Sequence, residues 1–536
     1  MKLVHRFFCL LSISLLSFAA IGQKVYQDIY KTSVYEFLDE LANLKLIELN
    51  TFSKPYSREL IAQKLISVNR SNLNSRQQDE LDFFLKDYSK ELLSTKDFDK
   101  RLDLLYYKDS IFSFTLNPIV GMEYSINENG EYLRRSIGGE FFGSIGKNVG
   151  FYASLRDKVV SSHSINQTEQ FLSTEPGANY KGSGDYSDMR GGITYSWDWG
   201  SIGLIKDNFR WGNNNFGANI LSHKAPSFTR LQLKVQPVKW LDFEYFHASL
   251  SSEVRDSSRS YLAGVRQRNV DVQKFMAANI FTIKPIKYLN VSIGNSIVYS
   301  DHLQAAFFIP FMFFKSVDHA VYSGSGNFGG GNSQMFFDIS SRNLKGYHFF
   351  TTVFLDEISF SRMWDKNQHS NFVSFKFGAE RSNLFDKNIS IALEYTISNP
   401  ITYRHFVNTT TYESNNYNLG HYLRDNAQEL AFKVKVEPIA RLNVSATCRF
   451  AQKGEEYFYS GTSGNPPLAW GLPFIEEVKW DRSALLLTGS YELFNDVYLS
   501  LHYQYQNVGG ADANLYTPEY YRDETNTFSA KVSVGF

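Results

Sequence analysis

The sequence predicts a mainly β chain: a transmembrane antiparallel outer-membrane β-barrel of about 18 strands with a small N-terminal periplasmic α-helical unit. Three observations predict it. The closing stretch Asn526 to Phe536 alternates strictly, with Phe528, Ala530, Val532, Val534 and Phe536 on one side and Ser529, Lys531, Ser533 and Gly535 on the other. Segments of the same period recur from about Ile111 onward, joined alternately by short turns and long polar loops. The N-terminus reads as an export signal, and no later segment approaches the roughly 18 apolar residues of a spanning helix.

Residues 1–22 are expected to be a signal peptide. Lys2, His5 and Arg6 precede an apolar run from Phe7 to Phe18, and Ala20-Ile21-Gly22 places small residues where a signal peptidase reads. Cys9 lacks a lipoprotein context, so the mature chain, from near Gln23, keeps Cys448 alone and forms no intramolecular disulfide. With 45 Phe, 33 Tyr and 7 Trp, yet a mean hydropathy of −0.30, the chain has much aromatic surface diluted by polar residues. A lipid-facing and a lumen-facing set of side chains on the same strands produce that combination. The formal net charge of zero gives nucleic acid no electrostatic footprint.

Residues 23–110 read as the helical unit, a plug or anchor. Val34, Leu38 and Leu41 make one helical stripe, a second helix follows an N-cap at Ser57, and a third opens with the capping-box pattern Ser75-Arg76-Gln77-Gln78. Residues 111–536 read as the barrel. Val235-Gln236-Pro237, Ile283-Lys284-Pro285 and Val436-Glu437-Pro438 open three similar short turns, each placing proline where the strand ladder stops. Further short turns fall at Gly146 to Asn148, Trp199 to Ser201, Asp386 to Asn388 and Asn495-Asp496; together they mark the periplasmic rim. The long segments, including 207–228, 299–332, 400–428 and 452–482, are expected to face the medium.

Three stretches add a family resemblance. The run from Tyr35 to Leu65, the run Phe209-Arg210-Trp211-Gly212 through Phe228, and the series Ile309-Pro310-Phe311, Phe337-Asp338-Ile339 and Phe354-Leu355-Asp356-Glu357 resemble segments of the Wzi-type capsule assembly family, in the same order. The terminal Phe536 resembles the feature that the barrel assembly machinery reads. The glycine-rich insert Gly324 to Gly331 departs from the family pattern. The resemblance implies an outer-membrane surface lectin, a monomer in outer-membrane lipid, that retains exported capsular or other surface polysaccharide. The alternative is a porin or substrate-specific diffusion channel.

Sugar recognition needs aromatic faces for stacking and planar polar groups for hydroxyls. Arg210, Trp211, Asn213, Asn214 and Asn215 in loop 207–228, and Trp470 in loop 452–482 with Tyr457, Tyr459 and Trp480 around it, are the candidates. Asp356 and Glu357, at the outer end of a strand, complete the set. No cofactor and no metal site is expected, since cysteine clusters and paired histidines at helical spacing are lacking. Ser325 between glycines near Asp318-His319 is too weak a pattern to make the chain an enzyme.

Overall fold

The computed structural model describes residues 24–91, 100–161, 185–322, 330–357, 364–365, 371–459 and 471–535. Phe536, Trp470 and Ser325 lie outside them. Eighteen strands close into an antiparallel barrel. They are β1 (Phe112–Asn127), β2 (Gly130–Ile145), β3 (Val149–Val160), β4 (Asp185–Trp197), β5 (Gly200–Asp207), β6 (Phe228–Val238), β7 (Leu241–Leu250), β8 (Lys274–Ile286) and β9 (Leu289–Ser300). The ring continues with β10 (Asn332–Ser341), β11 (Tyr347–Glu357), β12 (Phe372–Arg381), β13 (Ile389–Ser398), β14 (Ala427–Val436), β15 (Leu442–Lys453), β16 (Trp480–Phe494), β17 (Val497–Gly509) and β18 (Asp523–Val534). Each strand pairs with its chain neighbour, and β18 closes on β1 from Phe528↔Ile126 to Val534↔Val120. Where β18 stops, the short strand Leu105–Lys108 takes over the same edge of β1, with Leu105 opposite Leu116.

The alternation separates two environments. On β1 the outward Val120, Met122, Tyr124 and Ile126 are exposed, while the inward Thr115, Asn117 and Ser125 are buried. Phe528 and Val532 on β18, and Ile193 and Tyr195 on β4, continue the apolar outer band.

Helices α1 (Thr32–Asn43), α2 (Arg58–Ile66) and α3 (Ser75–Tyr88) close the short-turn end of the barrel around their own apolar core, which includes Leu38, Leu41, Ile61, Leu65 and Leu81. Ser57 caps α2 by accepting from the Leu60 amide, 3.2 Å. The capping box of α3 sits one residue earlier than the pattern predicts: Asn74 and Gln77 exchange side chain-to-backbone bonds. Asn competes well with Ser as an N-cap, which moves the box. Ion pairs fasten this unit to the wall, those of Asp28 and Lys31 buried and those of Glu36 half-buried. Asp28 meets Arg156 at 3.1 Å, Lys31 meets Asp496 at 2.7 Å and Glu140 at 3.3 Å, and Glu36 meets Lys433 and Lys435 at 3.2 Å each. Such pairs add little over an apolar contact, but losing one partner leaves a buried charge alone.

Three layers fill the lumen. From the short-turn end comes segment 49–56, whose Ser53 and Lys54 pair with Trp211 and Arg210. Loop 208–226 forms the middle layer, contrary to its expected exposure. Trp211 is 2% exposed there, among Phe52, Phe209, Phe246 and Phe336. Loop 399–426 comes down from the other end, its Tyr403 and Tyr412 hydroxyls donating to the carbonyls of Asn219 (2.7 Å) and Ile220 (3.0 Å). A barrel this wide cannot be filled by wall side chains alone. A loop with apolar anchors is drawn in, and its polar groups are paired by inward-facing residues of the wall. Segment 299–332 also departs from expectation, because its stretch 305–314 packs Phe307 and Phe314 against the outward Phe243, Tyr245, Ala277 and Ile297 of the wall.

Candidate functional site at the long-loop end

The middle layer uses its polar residues for structure. The Trp211 indole N–H donates to Glu244 at 3.2 Å, and Asn213 donates from backbone and side chain to Asp338 at 3.0 and 2.7 Å. The Asn215 amide donates to Glu394 at 2.7 Å, Asn214 donates to the Gly212 carbonyl at 2.8 Å, and Arg210 donates to Asn214 at 3.3 Å. These five candidates are therefore bonded within the barrel, with Trp211 and Asn213 buried, Arg210 and Asn214 half-buried and Asn215 exposed. An Asn-rich stretch looks alike in sequence whether water or buried carboxylates satisfy its amides.

The long-loop end carries a cavity of about 650 Å³. Three segments form it: 252–254 after β7, 402–425 between β13 and β14, and 456–459 after β15. Ile401, Tyr403 and Arg424 hold left-handed backbone, with φ of 65°, 75° and 64°. A β-branched Ile in that region is a genuine outlier, and such strain persists only where surrounding contacts impose it. Here Asp425 imposes it: its carboxylate accepts from the Ile401 amide at 2.9 Å and from Arg404 Nε at 3.0 Å, and Lys453 donates to its carbonyl at 2.7 Å.

Arg404 also meets Glu456 at 3.1 Å and lies over the Phe458 ring, 5.2 Å from its centroid. Arg424 pairs with Glu413 at 3.1 Å. Burial opposes charge on Arg404, but Asp425 and Glu456 outweigh it and raise its pKa. Asp425 is lowered, because Lys453 and Arg404 overcome its burial. His405, its ring tilted against Phe406 with centroids 4.2 Å apart, is lowered to about 4 by burial and is neutral at physiological pH. Phe458 is 70% exposed, a large flat face open to solvent above fixed carboxylates and guanidinium groups. Neutral hydroxyl-rich ligands suit that combination: the ring stacks on C–H faces, while Glu413, Glu456 and Asn416 offer acceptors and donors.

Beside it lies a second cavity of about 120 Å³, which shares Arg404, His405 and Tyr459 and is lined also by Asp356, Glu357 and His319. Asp356 accepts from the Tyr403 amide at 2.8 Å and from Gln334 at 3.4 Å, so it braces the strained loop. Sequence reasoning reached Asp356, Glu357 and Tyr459 but missed Arg404, Arg424 and Phe458. The pairs Arg404–Asp425 and Arg404–Glu456 join residues far apart in the chain, with no local motif to betray them. Trp480, counted with the outer loop from sequence, is 1% exposed and donates to Thr517 at 2.9 Å.

No family model and no curated protein matches the chain by sequence. The chain has the Wzi fold. It is similar in structure to Wzi, an outer-membrane protein involved in group 1 capsule assembly in Escherichia coli and a carbohydrate-binding β-barrel, with a TM-score of 0.60 at 14% identity over 96% of this chain and 100% of that one. A doubly substituted variant of OccD1 (OprD) gives a TM-score of 0.43 at 11% identity over 81% of this chain and 98% of the other. Acinetobacter baumannii OccAB4 gives 0.43 at 10% over 80% and 98%. The Wzi fold thus extends over nearly the whole chain, helical unit included.

Proposed function

We propose that this chain is an outer-membrane surface lectin that holds exported capsular or other surface polysaccharide in the pocket at the long-loop end of its barrel. The observation that carries the proposal is a pocket with an exposed Phe458 ring and a fixed charge network above a lumen packed by three layers of protein. A packed lumen favours binding over conduction and so disfavours the porin alternative. The outward apolar band supports the membrane location, and the short-turn end, with its helical unit, faces the periplasm on this reading. The carbohydrate binding of the Wzi barrel agrees with the reading. Phe536 is proposed as the signal for the assembly machinery.

The test uses purified full-length protein in nanodiscs and surface polysaccharide extracted from the producing cells. Phe458→Ala should weaken binding about ten-fold, the loss of one stacking contact of about 1–1.5 kcal/mol. Because Phe458 is exposed, the variant keeps the fold. Equal affinity of wild type and variant would move the site off this pocket, and no saturable binding by either would remove the lectin function.

A further inference from the structure

We infer that residues 305–314 lie in the lipid surrounding the barrel, docked on its outside wall, and present their outer apolar side chains to acyl chains. The facing of the wall decides this. On β7 the inward residues are Glu244, Phe246 and Ala248, two of which pack against the lumen core, so Phe243, Tyr245 and His247 point outward. On β8 and β9 the outward set is marked by Ile283 and Ile293, exposed at 40% and 43%; Asn279 and Asn295 share their parity. Yet Phe243, Tyr245, Ala277 and Ile297 are buried, by Phe307 and Phe314 of the segment. Phe308 stacks on His247 at 4.1 Å and Phe311 reaches Phe243 at 5.0 Å.

Two asparagines in mid-strand on a lipid-facing wall need a reason, since an unpaired amide is costly in hydrocarbon. The segment supplies it. Asn279 donates to the carbonyls of Pro310 (2.8 Å) and Met312 (2.9 Å), and Asn295 accepts from the Phe314 amide at 2.9 Å. Tyr245 donates to the Phe307 carbonyl at 2.8 Å. Pro310 leaves the segment irregular, and irregular backbone is tolerated at membrane depth only where protein satisfies its polar groups. The wall's outward Asn and Tyr side chains do so. Helix α4 (Phe314–Tyr322) then leads back toward β10. On the far side Ile309, Phe311 and Phe313 remain 45%, 65% and 44% exposed, continuous with the apolar band of the strands. That continuity identifies acyl chains as their partner.

The inference rests on the membrane placement proposed above, so the experiment tests the two separately. In a Cys448→Ser background, spin labels are placed by Phe311→Cys, by Ile293→Cys on the bare wall, and by Val265→Cys in a loop where the native side chain is 97% exposed. The protein is reconstituted in phosphatidylcholine–phosphatidylglycerol vesicles. The expected result is that the Phe311 and Ile293 labels relax with oxygen far more than with an aqueous nickel chelate, and the Val265 label does the reverse. A Phe311 label that behaves like Val265 while Ile293 reports lipid overturns the inference alone. Both labels in water overturn the membrane placement as well. A Phe311 label shielded from both relaxers and broadened by neighbouring copies overturns lipid as the partner. As a second variant, Asn279→Leu with Asn295→Leu should leave a heat-modifiable barrel but raise nickel contact of the Phe311 label several-fold; no change would overturn the docking by these amides.

Discussion

Trp211 and Phe458 divide the aromatic residues of the long segments by role. Trp211 is buried and tied to Glu244, so Trp211→Ala should cost about 3–5 kcal/mol of stability, as loss of a large core side chain does, and lower the urea midpoint of unfolding. Glycan affinity of the folded fraction should stay the same; a selective loss of affinity at unchanged stability would return Trp211 to the site. His405 contributes a pH prediction. Its pKa, lowered to about 4 by burial, means that it takes up no proton until the pH falls well below 6.5, so affinity should be flat from pH 6 to 8 in titrations. At this scale the sequence was legible as chemistry and illegible as place. Trp, Asn and Arg were recognised as sugar-binding types, but depth in a barrel depends on which loops turn inward, and no spacing rule records that.

Elements were easier to read than residues, because period-two alternation is imposed locally by the lipid and lumen faces. Ile389 to Ile397 and Leu442 to Phe450 were recognisable strands and lie within β13 and β15. What remained hidden were elements that escape the alternation: the edge strand Leu105–Lys108, and residues 305–314 packed on the outer wall. The joint between α1, α3 and the turn after β14 carries its own prediction. Glu40, Glu80 and Glu437 converge there, with Arg76 between them as the cation. Burial raises the pKa of Glu80 from 4.5 to about 7, although Arg76 works against it. The folded state therefore keeps a proton that the unfolded state releases, so the stabilisation is full below pH 4.5 and is lost as the pH rises through 7. The full loss should be about 3 kcal/mol. Hydrogen exchange of α3, corrected for intrinsic rate, should be faster at pH 8 than at pH 6, and Glu80→Gln should remove the difference. An unaltered pH response in that variant would show that another group controls the joint.

For the whole molecule, strand number, the helical cap and the two rims followed from the pattern of turns, but the state of the lumen did not. It is set by packing among parts distant in sequence: Phe52 from the helical unit, Trp211 from the loop after β5, Phe246 and Phe336 from the wall, and Leu419 from above. Because the middle layer belongs to the barrel itself, removing residues 24–105 should not open a channel, whereas also deleting 209–225 should. Planar-bilayer recording of the intact protein is the most direct test of a barrel that binds and does not conduct. The expected result is a flat trace at voltages where an open porin of this strand number passes steady current. A stable ohmic conductance from the full-length protein, with every copy inserted and folded, would contradict the packed lumen and restore the channel.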